Sequence, residues 1–217
     1  MNRFEGVISK LTAQLKMPLP GETAQLMMGS DIRMNELKFY SENENSKKSG
    51  VMILLYPNEE TVFSALILRN TYEGTHSGQV ALPGGKYEDE DSDLIATALR
   101  ETNEEIGVDS NSINIIGQLS RLFIPPSDYI VYPAIGFLNS RPSFKPDESE
   151  VQEIIEYPLS SLLDEGTIKS KEFSARNDII FKAPYFDING HVVWGATAMI
   201  LSEFKAILDN AGISSLL

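Results

Sequence analysis

The stretch LPGGKYEDEDSDLIATALRETNEEIGV, from Leu82 to Val108, constrains the fold more than any other part of the chain. A proline and paired glycines force a turn, an acidic loop follows, and apolar positions then recur at helical spacing. Leu94, Ile95, Ala98, Leu99, Thr102 and Ile106 cover one arc of a predicted helix. Each helical residue advances about 100°, so residues four apart lie about 40° apart around the axis. Glu101 and Glu105 therefore share a face with Glu104 beside them, and the carboxylates are expected to converge on a point at the edge of the buried arc. A purely solvating acidic face would sit opposite the core. Glutamates in the last turns of a helix also oppose its macrodipole, which favours cations there. With 31 Asp+Glu against 18 Lys+Arg and a formal net charge of -13, the cluster is either a solvated face or a holder of something cationic.

The chain has no cysteine, which rules out disulfides, thiolate metal sites and a cysteine nucleophile. Carboxylates without Cys or His suit Mg²⁺, Mn²⁺ or Ca²⁺ rather than zinc. Backbone atoms of the turn at Pro83, Gly84 and Gly85 can approach a phosphate or lend a carbonyl to the same ion. The acidic balance speaks against nonspecific nucleic-acid binding, because no basic stripe is there to release counterions. It leaves room for a small phosphorylated ligand if a divalent ion stands between the two.

At 217 residues the chain is long enough for one domain with decorations. Phe4, Val7, Ile8, Leu11 and Leu15 predict an amphipathic helix that ends before KMPLPGE. Residues 1–40 read as a helical extension to a main domain over 41–217. Ser41 to Ser49 reads as a mobile polar linker. VMILLYP from Val51 and VFSALILR from Val62 predict a hairpin turning between Pro57 and Glu60. Further strands are expected at Ile113–Leu119, Ile130–Leu138 and near Ile179–Phe186, while VQEIIEYPLSSLL from Val151 starts as a strand and finishes as a helix. The closing stretch places Ala198, Ile200, Leu201, Phe204, Ile207 and Leu208 on a buried helical stripe, with Gly212 as its stop. Strands interleaved with helices give the α/β class, a mixed sheet covered by helices. No run approaches the roughly 18 apolar residues of a membrane span, and MNRFEGVISK lacks a secretory stretch. The expectation is a soluble, cytoplasmic protein with neither membrane nor nucleic acid as partner.

Behind Gly84-Gly85, the run Arg100-Glu101-Thr102-Asn103-Glu104-Glu105-Ile106-Gly107-Val108 resembles the Nudix box of Nudix hydrolases, whose core reads Arg-Glu-apolar-x-Glu-Glu-x-Gly-apolar. Thr102 stands in place of the usual aliphatic residue, and the spacing from Gly85 to Arg100 is one residue longer than in the commonest form. Ser92 stands where the upstream glutamate is expected, with Glu88, Glu90 and Asp91 nearby. The longer spacing, HSGQVALPGG from His76, PSDYIVYPAIGFL from Pro126 and WGATAMIL from Trp194 are similar to the coenzyme A pyrophosphatase branch of the family. The upstream signature of that branch is partly kept: Arg69 matches, Asn70 replaces a small residue, and Gly74 stands where Arg is usual.

The resemblance implies a Nudix-type α/β/α sandwich with an added N-terminal helix. It implies a metal-dependent hydrolase of a nucleoside diphosphate derivative, cleaving the pyrophosphate linkage of coenzyme A or acyl-CoA to 3′,5′-ADP and 4′-phosphopantetheine. Two other readings stay open: a Nudix hydrolase of ADP-ribose, a dinucleotide or an oxidised nucleoside triphosphate, and a catalytically silent nucleotide-binding module that regulates a partner. On the first reading Glu101, Glu104 and Glu105, with Gly85, hold Mg²⁺ or Mn²⁺. Arg100 orients a glutamate, Glu104 or Glu150 is the general base, and Arg69, Gln79 and Gly84 bind substrate, Arg69 through the 3′-phosphate. Plainer readings stand beside these. Arg100 can pair with Glu104, Glu150 can be a turn carboxylate in PDESE, Gln79 can cap an edge, and His76 is a structural or solvated residue rather than a base. Trp194 is expected in the core rather than against an adenine ring, and a homodimer is left open.

Overall fold

A computed structural model gives the fold and describes residues 2–36, 40–71, 78–174 and 180–216. Gly74 and His76 lie outside the described residues. The two apolar runs form the expected hairpin, β1 (Lys47–Asn58) and β2 (Thr61–Arg69), paired antiparallel with Asn58 opposite Thr61. The turn is tighter than the sequence suggests. Pro57 lies inside the ladder opposite Val62, so only Glu59 and Glu60 turn the chain, Glu59 at φ 52. The linker expected over Ser41 to Ser49 is also shortened, because β1 starts at Lys47. Neither Lys47, Lys48, Ser49 nor Gly50 favours a strand by itself. They are held by parallel pairing to a strand far along the chain, with Lys47 opposite Tyr129 and Gly50 opposite Tyr132.

Along the rest of the chain run β3 (Val80–Ala81), β4 (Gly84–Lys86), β5 (Asn114–Gln118), β6 (Leu122–Ile124), β7 (Tyr129–Phe137) and β8 (Val151–Pro158). They join the hairpin in one mixed sheet, ordered β3-β2-β1-β7-β5, with β4 on β1, β6 on β7 and β8 on β2. The helices are α1 (Arg3–Gln14), α2 (Gly21–Leu26), α3 (Asp31–Glu36), α4 (Leu94–Ile106), α5 (Ser160–Leu163) and α6 (Gly195–Asn210). Alternation along β1 decides the layers. Met52, Leu54 and Tyr56 pack with Ala98 and Ile106 of α4, whereas Ile53 and Leu55 pack with Leu201, Phe204 and Leu208 of α6. The result is an α/β/α sandwich, as the sequence implied. Val7, Ile8 and Leu11 of α1, and Met28, lie in the α6-side core.

A buried carboxylate fastens the N-terminal segment. Glu203 of α6 is fully buried and accepts from Gly21 N at 3.1 Å, Gln25 Nε2 at 2.9 Å and Ser120 N at 3.3 Å. These bonds tie α2 and the β5–β6 connection to α6.

A second sheet was not legible in the sequence. It is ordered β11-β10-β9, from β9 (Ile168–Ser174), β10 (Ile180–Ile188) and β11 (His191–Val193). Only part of β10 carried a strand signal, and Ile179, where that strand was expected to begin, lies outside the described residues. IKSKEFS lacks an apolar alternation because much of β9 is exposed. The core placement of Trp194 also fails: its side chain is half-buried and belongs to neither hydrophobic cluster. Among the described residues no helix is long and apolar enough to cross a membrane.

Candidate active site

Asp93 starts α4, its Oδ1 accepting from Ile95 N at 2.9 Å and Ala96 N at 2.8 Å. Gly107 ends the helix at φ 70. The helix buries Thr97, Ala98, Thr102, Glu105 and Ile106. Its glutamates are therefore not equivalent: the Glu105 side chain is 1% exposed, that of Glu101 14% and that of Glu104 57%. Glu105 lies within the buried arc rather than at its edge.

The paired glycines explain how a carboxylate can be buried there. Gly84 N donates to Glu105 Oε2 at 2.8 Å. Gly84 sits at φ 149, and a Cβ on it would stand 2.4 Å from Gly50 O and 2.6 Å from Val51 Cα, so only glycine lets β4 lie this close to β1. At Gly85 a Cβ would meet the Glu101 carboxyl atoms at 2.4 to 2.5 Å. The missing side chain is the space that Glu101 occupies.

Arg100 is fixed on several sides. Its Nε and Nη2 donate to Asp91 Oδ1 and Oδ2, both at 3.0 Å, and Nη2 also reaches Lys86 O at 3.0 Å. Nη1 donates to Glu101 Oε1 at 2.9 Å and Glu104 Oε2 at 3.1 Å. Pairing with Glu104 and orientation of Glu101 are thus made by one nitrogen together. Asp91, passed over in the sequence as one of several nearby acids, is buried and also accepts from Thr97 Oγ1 at 2.9 Å and Glu88 N at 3.0 Å. The only hint was its position, from which a side chain can bond a backbone N–H three residues back and a hydroxyl in the first turn of the helix.

The Arg100 hydrogen bonds hold the Asp91 carboxyl down to about 2. A carboxyl depressed by folding contributes stability that is present above its ordinary value near 4 and lost as pH falls through about 2. Asp91→Asn should therefore lower stability by about 2 kcal/mol at pH 7 and flatten the loss of stability between about pH 4 and 2. Urea melts across that range check it; parallel curves for variant and wild type would remove Asp91 from the acid response.

The Arg69 guanidinium approaches Glu105 Oε1, with Nη1 at 3.6 Å. That distance is too long for a hydrogen bond, and among the described residues the buried Glu105 Oε1 has no hydrogen-bond partner. Burial pushes the Glu105 carboxyl up to about 7, with Glu101 and Glu150 adding repulsion against the Gly84 N–H and Arg69. Burial also raises Glu101, opposed by Arg100. The turn that carries Glu150 is tied to this end of α4. Asp147 N donates to Glu105 O at 3.0 Å, and Asn70 N to Glu150 O at 2.9 Å. Gln79 is half-buried, its carbonyl accepting from Arg69 N at 3.1 Å.

Among the described residues no three His, Cys, Asp or Glu side chains form a ready metal-holding group, so the expected convergence of Glu101, Glu104 and Glu105 is not reached in this arrangement. The reason is local: Arg100 takes Glu101 and Glu104 to one side, while Glu105 turns to the Gly84 amide and Arg69. The donor set nonetheless fits a hard divalent ion. It is all oxygen, and its innermost atom, Glu105 Oε1, is buried without a hydrogen bond, a state that a cation relieves.

The NUDIX domain family model matches residues 46–176. The chain is 30% identical over 161 residues to the uncharacterized Nudix hydrolase NudL of Photorhabdus laumondii, covering 74% of this chain and 84% of that protein. It is 33% identical over 169 residues to the chloroplastic Nudix hydrolase 22 of Arabidopsis thaliana, covering 75% of this chain. The chain spans 55% and 58% of the lengths of the two Arabidopsis relatives it matches. A C. elegans Ap4A hydrolase, solved as a binary complex, shares the fold at a TM-score of 0.52 and 15% identity, over 76% of this chain and 98% of that one. The family match takes in the glycine turn, the whole of α4, the strand that carries Arg69 and the turn that carries Glu150, and on that ground the chain belongs to the Nudix family.

Proposed function

We propose that the protein is a metal-dependent pyrophosphohydrolase of a nucleoside diphosphate derivative, with coenzyme A or an acyl-CoA as its substrate and 3′,5′-ADP and 4′-phosphopantetheine as products. The observation that carries the hydrolytic part is Glu105, a buried carboxylate with one oxygen on the Gly84 amide and the other without a hydrogen bond. Glu101, Glu104, Glu105 and Gly85 would hold Mg²⁺ or Mn²⁺. A bound divalent ion supplies Lewis acidity and neutralises charge on a pyrophosphate.

The chain's own groups do the rest. Arg100, itself held by Asp91, positions Glu101 and Glu104. Glu104 and Glu150 are both exposed and either can take the proton as a water oxygen attacks phosphorus and the P–O anhydride bond breaks. Gly84 serves the site through Glu105, since its N–H is already used there. Arg69 stands beside Glu105, so its part moves from the 3′-phosphate to the anhydride being cleaved. That placement favours a second reading, hydrolysis of ADP-ribose, a dinucleotide or an oxidised nucleoside triphosphate, for which no distal phosphate has to be met.

The test is to incubate the purified full chain with Mg²⁺ and coenzyme A, dephospho-coenzyme A, ADP-ribose, a dinucleotide and an oxidised nucleoside triphosphate, and to identify products by mass spectrometry. Coenzyme A should be cleaved fastest, EDTA should stop turnover and added Mg²⁺ should restore it. Equal rates on coenzyme A and its dephospho form would move the assignment to the second reading. Full turnover in EDTA would end the metal-dependent reading, and no turnover of any compound would leave a silent binding module.

A further inference from the structure

The second sheet carries chemistry that the carboxylate site does not use. Strand alternation puts Lys169, Lys171 and Phe173 of β9 on one face, and the register sets Tyr185, Ala183 and Phe181 of β10 opposite them. Trp194 follows β11 on that same face. Its indole stacks on Phe173 with 4.3 Å between ring centroids and 25° between planes, and lies 6.0 Å from Phe181. Phe173 and Phe181 stack at 5.8 Å. The other face holds Phe186, Ile188 and Val193, all fully buried, so the sheet completes its core contacts without these rings. Phe173, Phe181, Tyr185 and Trp194 remain half-buried.

The exposed Lys171 ammonium lies 4.9 Å from the Phe173 ring centre and 5.6 Å from that of Tyr185. Its neighbour Lys169 pairs with Asp187 instead. In a chain of net charge -13, an ammonium set over aromatic rings, with no carboxylate paired to it among the described residues, is a cation still open to an anion.

We propose that this face is a nucleotide-binding platform, on which Trp194 stacks with a purine base and Lys171 meets a phosphate of the same nucleotide. Aromatic side chains stack on any base through its π-face, and a lysine is a mobile point charge suited to phosphate. A second copy of the chain is a poorer occupant, since it brings the same large negative charge. The platform is joined to the catalytic end through β3. Thr197, in the first turn of α6, donates to Val80 O at 3.2 Å, and Val80 pairs with Leu68, next to Arg69. The identity of the nucleotide rests on the function proposed above: the adenosine 3′-phosphate end of coenzyme A offers both a purine and a phosphomonoester. The stacking itself does not depend on that reading.

Trp194 is the chain's only tryptophan, so its fluorescence reports this face alone. Titration of the full chain in EDTA with adenosine 3′,5′-bisphosphate should give saturable quenching, and adenosine should bind about tenfold more weakly. Lys171→Met should weaken the bisphosphate by about tenfold and reduce its salt dependence, whereas Lys182→Met, on the opposite face, should leave the Kd unchanged. Trp194→Phe, followed by calorimetry, should keep binding because a ring remains, and Trp194→Ala should cost about tenfold or more. No saturable quenching, equal affinity for adenosine and the bisphosphate, or equal effects of the two lysine variants would overturn the platform. Coenzyme A hydrolysis by the wild type without quenching would sink the platform and spare the hydrolase; quenching without hydrolysis would do the reverse.

Discussion

Glu105→Gln is expected to lower turnover with Mg²⁺ by a factor of about 10² to 10³ while the melting temperature in metal-free buffer stays at or above that of the wild type. Activity falls because the amide keeps the shape of the side chain and removes its charge. Stability does not fall, for a separate reason. The carboxylate is buried, Arg69 is beyond hydrogen-bond distance, and Oε1 has no hydrogen-bond partner. Ionised groups buried with so little compensation cost several kcal/mol, roughly, before any metal arrives. Glutamine keeps an oxygen for the Gly84 N–H and sheds that cost. Steady-state kinetics and a thermal melt in EDTA check both halves. Near-normal turnover would reduce Glu105 to an anchor for the glycine turn, and a large drop in melting temperature would show that the Arg69 pair stabilises the fold.

Gly84→Ala should damage both properties at once. The added methyl carbon would stand 2.4 Å from Gly50 O and 2.6 Å from Val51 Cα, both backbone atoms that cannot rotate away. At φ 149 the backbone is also strained for any residue with a side chain, at a cost of about 1 to 3 kcal/mol before the clash is counted. Relief requires β4 to move off β1, and that carries the Gly84 amide away from Glu105. We expect a loss of about 3 kcal/mol, or roughly 6 to 12 °C in melting temperature for a chain of this size. Turnover should fall to near background even at temperatures where the variant is folded. A wild-type melting curve would mean that the turn tolerates a side chain and that its closeness to β1 is not what holds Glu105.

The two substitutions separate what the helix supplies from what the turn supplies. Glu105 was visible in the sequence because α4 is a local structure with a fixed angular step, so its spacing to Glu101 defined a shared face. The α6 stripe was legible on the same ground, and Phe204, Ile207 and Leu208 are buried as its period required. The β1–β2 hairpin was legible because two apolar runs are separated by a few polar residues. In each case the residues that decide the structure lie within one or two turns, or one hairpin, of each other.

Contacts outside the repeat of a single element were a different matter. Lys47 to Gly50 became a strand through pairing with Tyr129 to Tyr132, and β9 became one through β10, neither with a strand pattern of its own. Arg69 read as a ligand for a phosphate, and its place beside Glu105 came only from packing. Trp194 read as core until the second sheet stacked it, half-buried, on Phe173. Asp91 read as one acid among several until Arg100 folded back onto it. The sequence by itself determined which residue types share a helix face and which runs can pair, because those follow from the repeat of a single element. Only the tertiary structure decided which of three neighbouring glutamates is buried and which cation meets it, because burial depends on the distance to the next layer, and in this fold two glycines without side chains set that distance.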